Sequence, residues 1–267
     1  MSMVINKGNV LGLILLSILF VLCAGCSQEP DDALARIRHA GVLRVAMSGD
    51  YPPFNYRNQT GVLQGFDVDV ARELAKQLGV KPKIVVKKWS GIIQELLAGE
   101  YDVILGSMAI SEERLKRVAF SMPYYHSVVG VVVRKGSTLK ALSDLKGKTV
   151  GIGAGSNYEN DARELGVADI RFFEPWSDGL IELQDGNLDA MILDQIIALN
   201  AVQFGKYNIQ YLGPPLRREA VAIAVRKEDT RLLKEIDKAL ALMKKNGFLA
   251  QLGRKVAQCE YDCAGGY

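Results

Sequence analysis

A pattern that occurs twice, 87 residues apart, constrains the fold of this chain more than any other feature. Trp89-Ser90 starts the first copy and Trp176-Ser177 starts the second. Matching residues follow in each: Glu95-Leu96, Gly99 and Asp102-Val103-Ile104 in the first copy, Glu182-Leu183, Gly186 and Asp189-Ala190-Met191 in the second. Each copy is typical of an N-capped helix, a glycine that ends it and a short apolar strand. We therefore predict two lobes built on one plan.

Further strands and helices alternate along the chain and predict an α/β fold. The apolar runs at residues 42–47, 149–153 and 170–173 predict strands. Three helix starts are expected: at Asp67 (with Val70, Leu74 and Leu78 at helical spacing before Gly79), at Ser156 or Asn157, and at Asp194. Because strands that alternate with helices form parallel sheets, each lobe is expected to be a mainly parallel sheet covered by helices.

Two apolar stretches, 128–134 and 220–226, are typical of β structure and flank the second lobe. The first stretch leaves lobe one and the second returns to it, so lobe two is predicted to be an insertion. The predicted boundaries are residues 41–128 with 226–267 for lobe one and 129–225 for lobe two. A helix over 230–246 completes lobe one. Since ligands bind beyond the carboxyl ends of strands in open α/β sheets, a cleft between the lobes is expected.

The N-terminal residues predict export. Residues 8–28 carry no charge, and the apolar core over 10–22 is shorter than the ~20 residues of a membrane span. Residues 1–25 are therefore interpreted as a signal peptide, with 26–40 as tether and lead-in. The run from Leu22 to Cys26 resembles a bacterial lipobox, which implies lipidation at Cys26 and a place in the periplasm or on the outer cell surface. Cleavage by an ordinary signal peptidase is the alternative.

Composition excludes two classes of function. The formal net charge is +3, from 33 basic and 30 acidic residues, which gives nucleic acid no concentrated basic face to bind. The two histidines, His39 and His126, belong to no spaced ligand cluster, so neither a metal nor another cofactor is expected. Cys259 and Cys263 predict a small disulfide in an oxidising compartment, and metal binding by this pair is the weaker alternative.

Several short motifs, in this order and spacing, resemble the amino-acid-binding family 3 of extracellular solute-binding proteins that serve ABC transporters. The likeness covers about residues 41–253. It is carried by Asp50-Tyr51-Pro52-Pro53-Phe54, Gly65-Phe66-Asp67-Val68-Asp69, Ser111-Glu112-Glu113-Arg114, Asp144-Leu145-Lys146-Gly147-Lys148, Gly155-Ser156 and Leu188-Asp189-Ala190. The resemblance implies a periplasmic-binding-protein type II fold, a monomer whose two lobes close on a free amino acid or close analogue. It also implies permease subunits of an ABC importer as partners, and a chemoreceptor is a further possible partner.

The resemblance carries two charged residues over to this chain. Arg114 matches the arginine that holds the ligand carboxylate, a task suited to its planar fork of donors. Its alternative role is an ion pair with Glu112 or Glu113 on a solvated turn. Asp194 matches the aspartate that binds the α-ammonium, and its alternative role is a helix cap. The repeat places Asp194 opposite Ser107, so both are expected at the cleft.

The resemblance also implies contacts with the ligand's side chain and further polar contacts. Tyr51 and Trp89 match aromatic positions that sandwich the side chain, with core packing as the alternative. Trp176 is interpreted as packing only. Further ligand contacts are expected at Gly106, Ser107, Ala109, Ser156, Asn157 and Tyr158.

Two positions depart from the family pattern. Ala109 stands where these proteins usually have Ser or Thr, which removes one hydrogen bond to the ligand carboxylate, worth roughly 1 kcal/mol. Ser48 stands where binders of basic amino acids often have aspartate. This difference favours a neutral or polar ligand side chain, although Asp50 or Glu159 could take that role.

Two rival functions are weighed against the receptor. Cyclohexadienyl (prephenate) dehydratases share the fold, but Ile197 occupies the position of their catalytic glutamate and cannot transfer a proton. The glycines Gly151, Gly153 and Gly155 suggest a dinucleotide turn, yet the third comes one residue early for the motif. We therefore expect a binding protein rather than an enzyme.

Overall fold

The computed structural model describes residues 32–205 and 207–258. The predicted signal peptide, the predicted lipidation site Cys26 and the predicted disulfide between Cys259 and Cys263 lie outside these residues. Within the described part of the chain, no helix is both long enough and apolar enough to cross a membrane.

The described residues form fourteen strands and nine helices, with short 3₁₀ turns at Trp89–Gly91 and Leu142–Leu145. The strands are β1 (Val42–Met47), β2 (Asp50–Tyr51), β3 (Asn55–Arg57), β4 (Leu63–Gln64), β5 (Lys81–Val86), β6 (Val103–Ile104), β7 (Ala119–Phe120), β8 (Tyr125–Arg134), β9 (Thr149–Gly153), β10 (Asp169–Phe173), β11 (Ala190–Asp194), β12 (Ile209–Tyr211), β13 (Arg217–Val221) and β14 (Ala224–Val225). The helices are α1 (Ala33–Ala40), α2 (Phe66–Gln77), α3 (Ile92–Leu97), α4 (Glu112–Leu115), α5 (Glu159–Glu164), α6 (Asp178–Asp185), α7 (Gln195–Gln203), α8 (Thr230–Lys245) and α9 (Phe248–Gln258).

The first lobe is built on a five-stranded sheet of order β5-β1-β6-β14-β7. Strand β1 runs parallel to both β5 and β6, and β14 lies between β6 and β7 and is antiparallel to both. Along β1, Val45 and Met47 pack into one apolar cluster and Ala46 into another, so both faces of the sheet are covered. Helices α1 and α2 pack against this sheet, α8 packs against α1 and α2, and α9 packs against α2 and α8.

The second lobe is built on a sheet of order β10-β9-β11-β8-β12, with β13 also paired to β8. Strand β9 is parallel to β10 and β11, and β8 runs antiparallel to β11, β12 and β13. Met191 and Leu193 face one apolar cluster while Ala190 and Ile192 face the other. The predicted α/β fold is therefore confirmed, but neither sheet is mainly parallel. Each has two parallel pairings, beside two antiparallel ones in the first lobe and three in the second, because the strands next to the two crossings (β8, β13 and β14) pair antiparallel.

The chain passes between the two sheets twice. It leaves the first sheet after β7 and enters the second at β8, and it returns between β13 and β14. The lobe boundaries given above stay a prediction. A separate three-stranded sheet, β2-β3-β4, lies in sequence between β1 and α2. Within the predicted tether and lead-in, α1 forms a helix that contacts β1 and α8.

Both copies of the repeat fold as a helix, a glycine at positive φ and a short strand. The φ angle is 79° at Gly99 and 85° at Gly186, the left-handed region that an L-residue with a side chain adopts at a cost. Ser177 lies at the N-cap position of α6, although its side chain makes no capping hydrogen bond, whereas the N-cap of α3 is Gly91 and not Ser90. The hydroxyl of Ser90 is used for a contact with the other lobe, described below.

The predicted cap at Asp67 is also wrong. Helix α2 begins after Gly65, and the Asp67 side chain is completely buried inside its first turn. Its carboxylate accepts hydrogen bonds from Asn55 Nδ2 at 2.7 Å, Tyr124 OH at 2.7 Å and Ser107 Oγ at 2.8 Å. Burial raises the pKa of Asp67 to about 6, against the effect of these donors. The residue therefore connects α2 to the segment that follows β6.

Candidate functional site

A cleft lined by residues of both lobes contains all ten predicted ligand contacts. Its volume is about 700 Å³, open solvent at its mouth included. The predicted residues among its lining are Tyr51, Trp89, Gly106, Ser107, Ala109, Arg114, Ser156, Asn157, Tyr158 and Asp194. The lining also includes residues that the sequence analysis does not assign to ligand contacts: Ser48, Asp50, Gly153, Ala154, Phe173, Glu174, Trp176, Leu193 and Glu219.

Arg114 brings a buried guanidinium to this cleft from the short helix α4. Ser111 caps that helix by accepting a hydrogen bond from Arg114 N at 3.3 Å, and Arg114 is only 8% exposed. Its Nη1 donates to Ala109 O at 2.8 Å and its Nη2 to Gly155 O at 3.1 Å. The guanidinium lies 5.8 Å from the centroid of the Trp89 ring. Burial lowers the pKa of Arg114, and the nearby Glu219 carboxylate opposes that shift.

Among the described residues, no carboxylate lies within salt-bridge distance of Arg114. The alternative role as the partner of Glu112 or Glu113 is therefore not supported by the geometry. A buried guanidinium that meets only carbonyl oxygens retains its full positive charge toward the cleft, and a carboxylate is its complementary partner.

Asp194 lies at the carboxyl end of β11 and caps α7, as predicted. Its Oδ1 accepts hydrogen bonds from Ile196 N at 2.7 Å and Ile197 N at 3.4 Å, and its Oδ2 accepts one from Ser127 Oγ. Burial raises the pKa of Asp194 to about 6, although these three donors favour the ionised form. The hydrogen bonds thus fix the Asp194 carboxylate at the cleft, and its pKa responds to any charge placed beside it.

Aromatic rings line the cleft from both lobes. Tyr51 packs edge-on against Trp176, with ring centroids 5.9 Å apart, and stacks on Phe54 at 5.9 Å. Trp176 also donates from Nε1 to Asp50 O at 2.8 Å, which joins lobe two to β2. The interpretation of Trp176 as packing only is therefore incomplete, because the same ring lines the cleft.

Ser107 is held in an unusual backbone conformation at the cleft. Its φ of 59° is the only positive φ outside glycine in the described residues. Ser107 Oγ donates to Asp67 and Ser107 N donates to Tyr124 OH at 3.1 Å, so the hydroxyl and the amide are both in use. Such strain persists only where surrounding contacts fix it, and it is concentrated at functional sites.

The turn between β9 and α5 supplies the cleft with Ser156, Asn157 and Tyr158. Neither Ser156 nor Asn157 caps α5, because the cap position is Tyr158. Ser156 Oγ instead accepts a hydrogen bond from Tyr158 N at 3.5 Å. The predicted caps are wrong by one or two residues, but the predicted turn lies at the cleft.

Packing explains the glycines at the end of β9 and in this turn without a dinucleotide site. A Cβ atom on Gly151 would lie 2.6 Å from Leu188 Cδ1. A Cβ atom on Gly155, where φ is +74°, would lie 2.8 Å from Ser90 Cα in the other lobe. Gly151 therefore permits packing inside lobe two, and Gly155 permits close approach of the two lobes.

Glu219 is a buried carboxylate of the cleft that the sequence analysis missed. Its side chain is 6% exposed, and its Oε2 accepts from Arg217 Nη1 at 2.8 Å and Asn157 Nδ2 at 3.3 Å. Arg217 also binds Asp161 through Nε and Nη2, both at 2.8 Å. The alternation of side chains along β13 could have identified Glu219, since it puts Arg217, Glu219 and Val221 on one face of the strand.

Two more carboxylates line the cleft: Asp50, which the sequence offers as a substitute for the aspartate missing at position 48, and Glu174. Burial raises the pKa of Asp50; a hydrogen bond with Ser48 opposes this rise, and the charge of Glu174 adds to it. Glu174 accepts from Ser90 N at 3.0 Å and from Ser90 Oγ at 2.6 Å, and thus joins the lobes. No periodicity marks Glu174, because it follows β10 in an irregular segment.

Comparison with known proteins places this geometry in a family. The sequence model of the bacterial extracellular solute-binding proteins, family 3, matches residues 43–258. The L-cystine-binding protein TcyJ of Escherichia coli (strain K12) is 35% identical over 240 residues, which cover 88% of this chain and 90% of TcyJ. The L-arginine-binding protein of Pseudomonas aeruginosa is 32% identical over 226 residues, which cover 80% of this chain and 86% of that protein.

Solved structures agree with the two-lobed fold. The P235GK mutant of ArgBP from T. maritima superposes with a TM-score of 0.80 at 38% identity, covering 85% of this chain and 99% of that one. The ancestral amino acid-binding protein AncCDT-1, a precursor of cyclohexadienyl dehydratase, gives a TM-score of 0.76 at 33% identity, covering 84% and 98%.

Proposed function

Because the chain belongs to the bacterial extracellular solute-binding proteins of family 3, we propose that it is the receptor of an ABC importer. It captures a free amino acid or a close analogue between its two lobes and delivers it to permease subunits in the membrane. Its relatives include proteins named for binding cystine, arginine and glutamine. The family is extracellular, and the chain is accordingly an exported protein of the periplasm or cell surface.

The buried guanidinium of Arg114, without a carboxylate partner among the described residues, is the observation that carries this proposal. It faces the same cleft as Asp194, which belongs to the other lobe. In the proposed complex, Arg114 binds the ligand carboxylate and Asp194 binds the α-ammonium. Both charges of the zwitterion are then paired only when the lobes are closed, so ligand binding and closure are coupled.

The remaining cleft residues complete the proposed complex. Tyr51 and Trp89 contact the ligand's side chain, while backbone groups at Gly106, Ser107 and Ala109 contact its α-amino acid portion. The turn of Ser156, Asn157 and Tyr158 approaches from lobe two. Anchoring through a lipid on Cys26 and a monomeric state belong to the same proposal.

We also propose that the chain is not a dehydratase. Ile197 is completely buried in the first turn of α7 and has no group that transfers a proton. The relationship to AncCDT-1 makes this alternative worth a direct assay. Turnover of prephenate by the purified protein is the result that would support the enzyme.

A ligand panel tests the receptor directly. The purified protein is unfolded and refolded to remove bound ligand, then heated with each common amino acid and with prephenate. A ligand at 100 times its Kd is expected to stabilise the protein by about 2.7 kcal/mol, a shift of several degrees in Tm. If no amino acid shifts the Tm of the refolded protein, the proposed function is wrong.

Substitution of Arg114 tests the assignment of the carboxylate site. Arg114→Ala removes two charge-assisted hydrogen bonds to the ligand, each worth about 1.5–3 kcal/mol, so Kd is expected to rise at least about a hundredfold. Arg117→Ala is the matched control, because Arg117 is exposed three residues away and bonds Gln94. Wild-type affinity in Arg114→Ala, measured by calorimetry, contradicts the assignment.

A further inference from the structure

The charges that line the cleft do not balance. Four carboxylates line it, on Asp50, Glu174, Asp194 and Glu219, against the single guanidinium of Arg114. Behind Glu219, the positive charge of Arg217 is already shared with Asp161 through two hydrogen bonds. A zwitterion bound in the cleft leaves the negative excess unchanged, since its carboxylate and ammonium cancel.

The carboxylates form two groups. Glu219 acts electrostatically on both Arg114 and Asp194, so these three residues share the end that holds the α-amino and α-carboxylate groups. The charge of Glu174 acts on Asp50 instead, and Trp176, two residues after Glu174, donates to the backbone carbonyl of Asp50, so these two residues share the other end. Two like charges at this second end repel each other until a cation lies between them.

The second end has little compensating positive charge. Within the described residues, neither Asp50 nor Glu174 has a Lys, Arg or His within salt-bridge distance. The exposed Lys88 acts on Glu174 from a distance, and no cation is among the influences on Asp50. The hydrogen-bond donors that do reach Glu174 belong to Ser90, which is uncharged.

We propose that the ligand is a basic amino acid, whose second positive charge is bound by Asp50 and Glu174 at the end of the cleft that Trp176 also lines. This inference rests on the proposed function, because it takes the α-amino acid end of the ligand to lie at Arg114 and Asp194. It differs from the neutral side chain that Ser48 alone favours. Asp50, two residues along the chain, supplies the carboxylate that position 48 lacks.

Pairs of ligands with the same shape and different charge test this proposal by calorimetry. Citrulline has a neutral ureido group where arginine has a guanidinium, and norleucine lacks the terminal ammonium of lysine. In at least one pair, the refolded wild-type protein is expected to bind the charged member at least about tenfold tighter. If the neutral member of both pairs binds as tightly as the charged one, the proposal is overturned.

Asp50→Asn locates the charge preference. This substitution keeps the shape of the side chain, so the affinity ratio within the responding pair is expected to fall by about tenfold while the affinity for the neutral member stays within about twofold. Glu174→Gln is a second variant, for which the same change in the affinity ratio is expected. Because the ratio compares two ligands of the same shape, a general loss of lobe closure does not alter it. Asp185→Asn is the control, because Asp185 is exposed at the end of α6. An unchanged ratio in both cleft variants overturns the role of this acidic end.

The same titrations distinguish failure of the basic-ligand proposal from failure of the proposed receptor function. Tight binding of neutral amino acids without any preference for basic ones contradicts the basic ligand and leaves the amino acid receptor standing. Absence of binding by every amino acid, in protein with the heat-unfolding transition of a folded domain, contradicts both.

Discussion

Two buried arginines of this chain have opposite surroundings, and the difference indicates which one serves a ligand. Arg226 is 6% exposed, donates to the carbonyl oxygens of Leu96 and Tyr101, and pairs with Asp229 at 2.8 Å. Arg114 is similarly buried and also donates to two carbonyl oxygens, but no carboxylate of the described chain lies within salt-bridge distance of it, and Glu219 acts on it only from farther away. Since an unpaired buried charge is costly, the missing partner is expected from outside the protein.

The titration of Asp194 gives a prediction at the same scale. Its pKa is raised to about 6, and the proposed contact with an ammonium needs the ionised form. Ligand affinity is therefore expected to fall as the pH is lowered through this value, and Kd at pH 5 should be about ten times that at pH 7. Calorimetry at a series of pH values measures the change.

Asp194→Asn is the control for this pH dependence. The variant has no carboxylate at that position, so its weaker binding is expected to vary little between pH 5 and pH 7. An equally steep dependence in the variant assigns the titration to another group.

The turn between β9 and α5 is the element that most directly connects local backbone geometry to the cleft. Two glycines here have separate tasks, since Gly151 within β9 packs beside Leu188 inside lobe two and Gly155 in the turn lies against Ser90 of lobe one. Gly155 O also accepts the hydrogen bond from Arg114, so this peptide contributes to contacts between the lobes twice. A change in this turn is expected to affect closure more than folding.

Gly155→Ala tests that expectation. The new methyl group would meet the backbone of Ser90 in the closed form, so ligand affinity is expected to fall about 5- to 140-fold, for a cost of about 1–3 kcal/mol. Gly136→Ala is a matched control, because its φ is also positive (+84°) and nothing lies within 4 Å of its Cβ position. Similar destabilisation by heat in both variants, with weaker binding only in Gly155→Ala, is the expected result. Equal affinities in the two variants contradict a role of Gly155 in closure.

At the scale of the whole molecule, three sets of hydrogen bonds hold the lobes together around the cleft. Ser90 donates twice to Glu174, Trp176 donates to Asp50 O, and Arg114 donates to Gly155 O. Each set joins residues that are at least 41 positions apart in the chain. These bonds stabilise the closed arrangement in addition to any ligand, and they are expected to slow ligand release.

Ser90→Ala gives the corresponding prediction. It removes one interlobe hydrogen bond, worth about 0.5–1.5 kcal/mol, so Kd is expected to rise about 2- to 12-fold. Most of the change should lie in the dissociation rate, measured by stopped-flow fluorescence. Ser143→Ala, at an exposed serine outside the cleft, should leave the rate unchanged. A wild-type dissociation rate in Ser90→Ala contradicts the role of this contact.

Patterns local in sequence were sufficient for the architecture. The strands predicted over 42–47 and 149–153 have those bounds in the structure, and the repeat correctly predicted a helix, a glycine and a strand in each lobe. Asp194 caps α7 as its position before a helix suggested. These features depend on hydrophobic periodicity and on backbone groups within a few residues, which the sequence states directly.

Contacts between distant segments were decided by the tertiary structure alone. Asp67 and Ser90 have the residue types of helix caps, but each bonds groups from elsewhere in the fold. Asp67 is buried beside Tyr124, and the exposed Ser90 donates to Glu174 of the other lobe. Glu219 and Asp50 become part of the cleft only when two sheets bring their strands to one place. The sequence by itself therefore determined the two lobes and the candidate residues that family motifs mark. The charge balance of the cleft was set by packing, since electrostatic interactions depend on distances that a linear sequence does not contain.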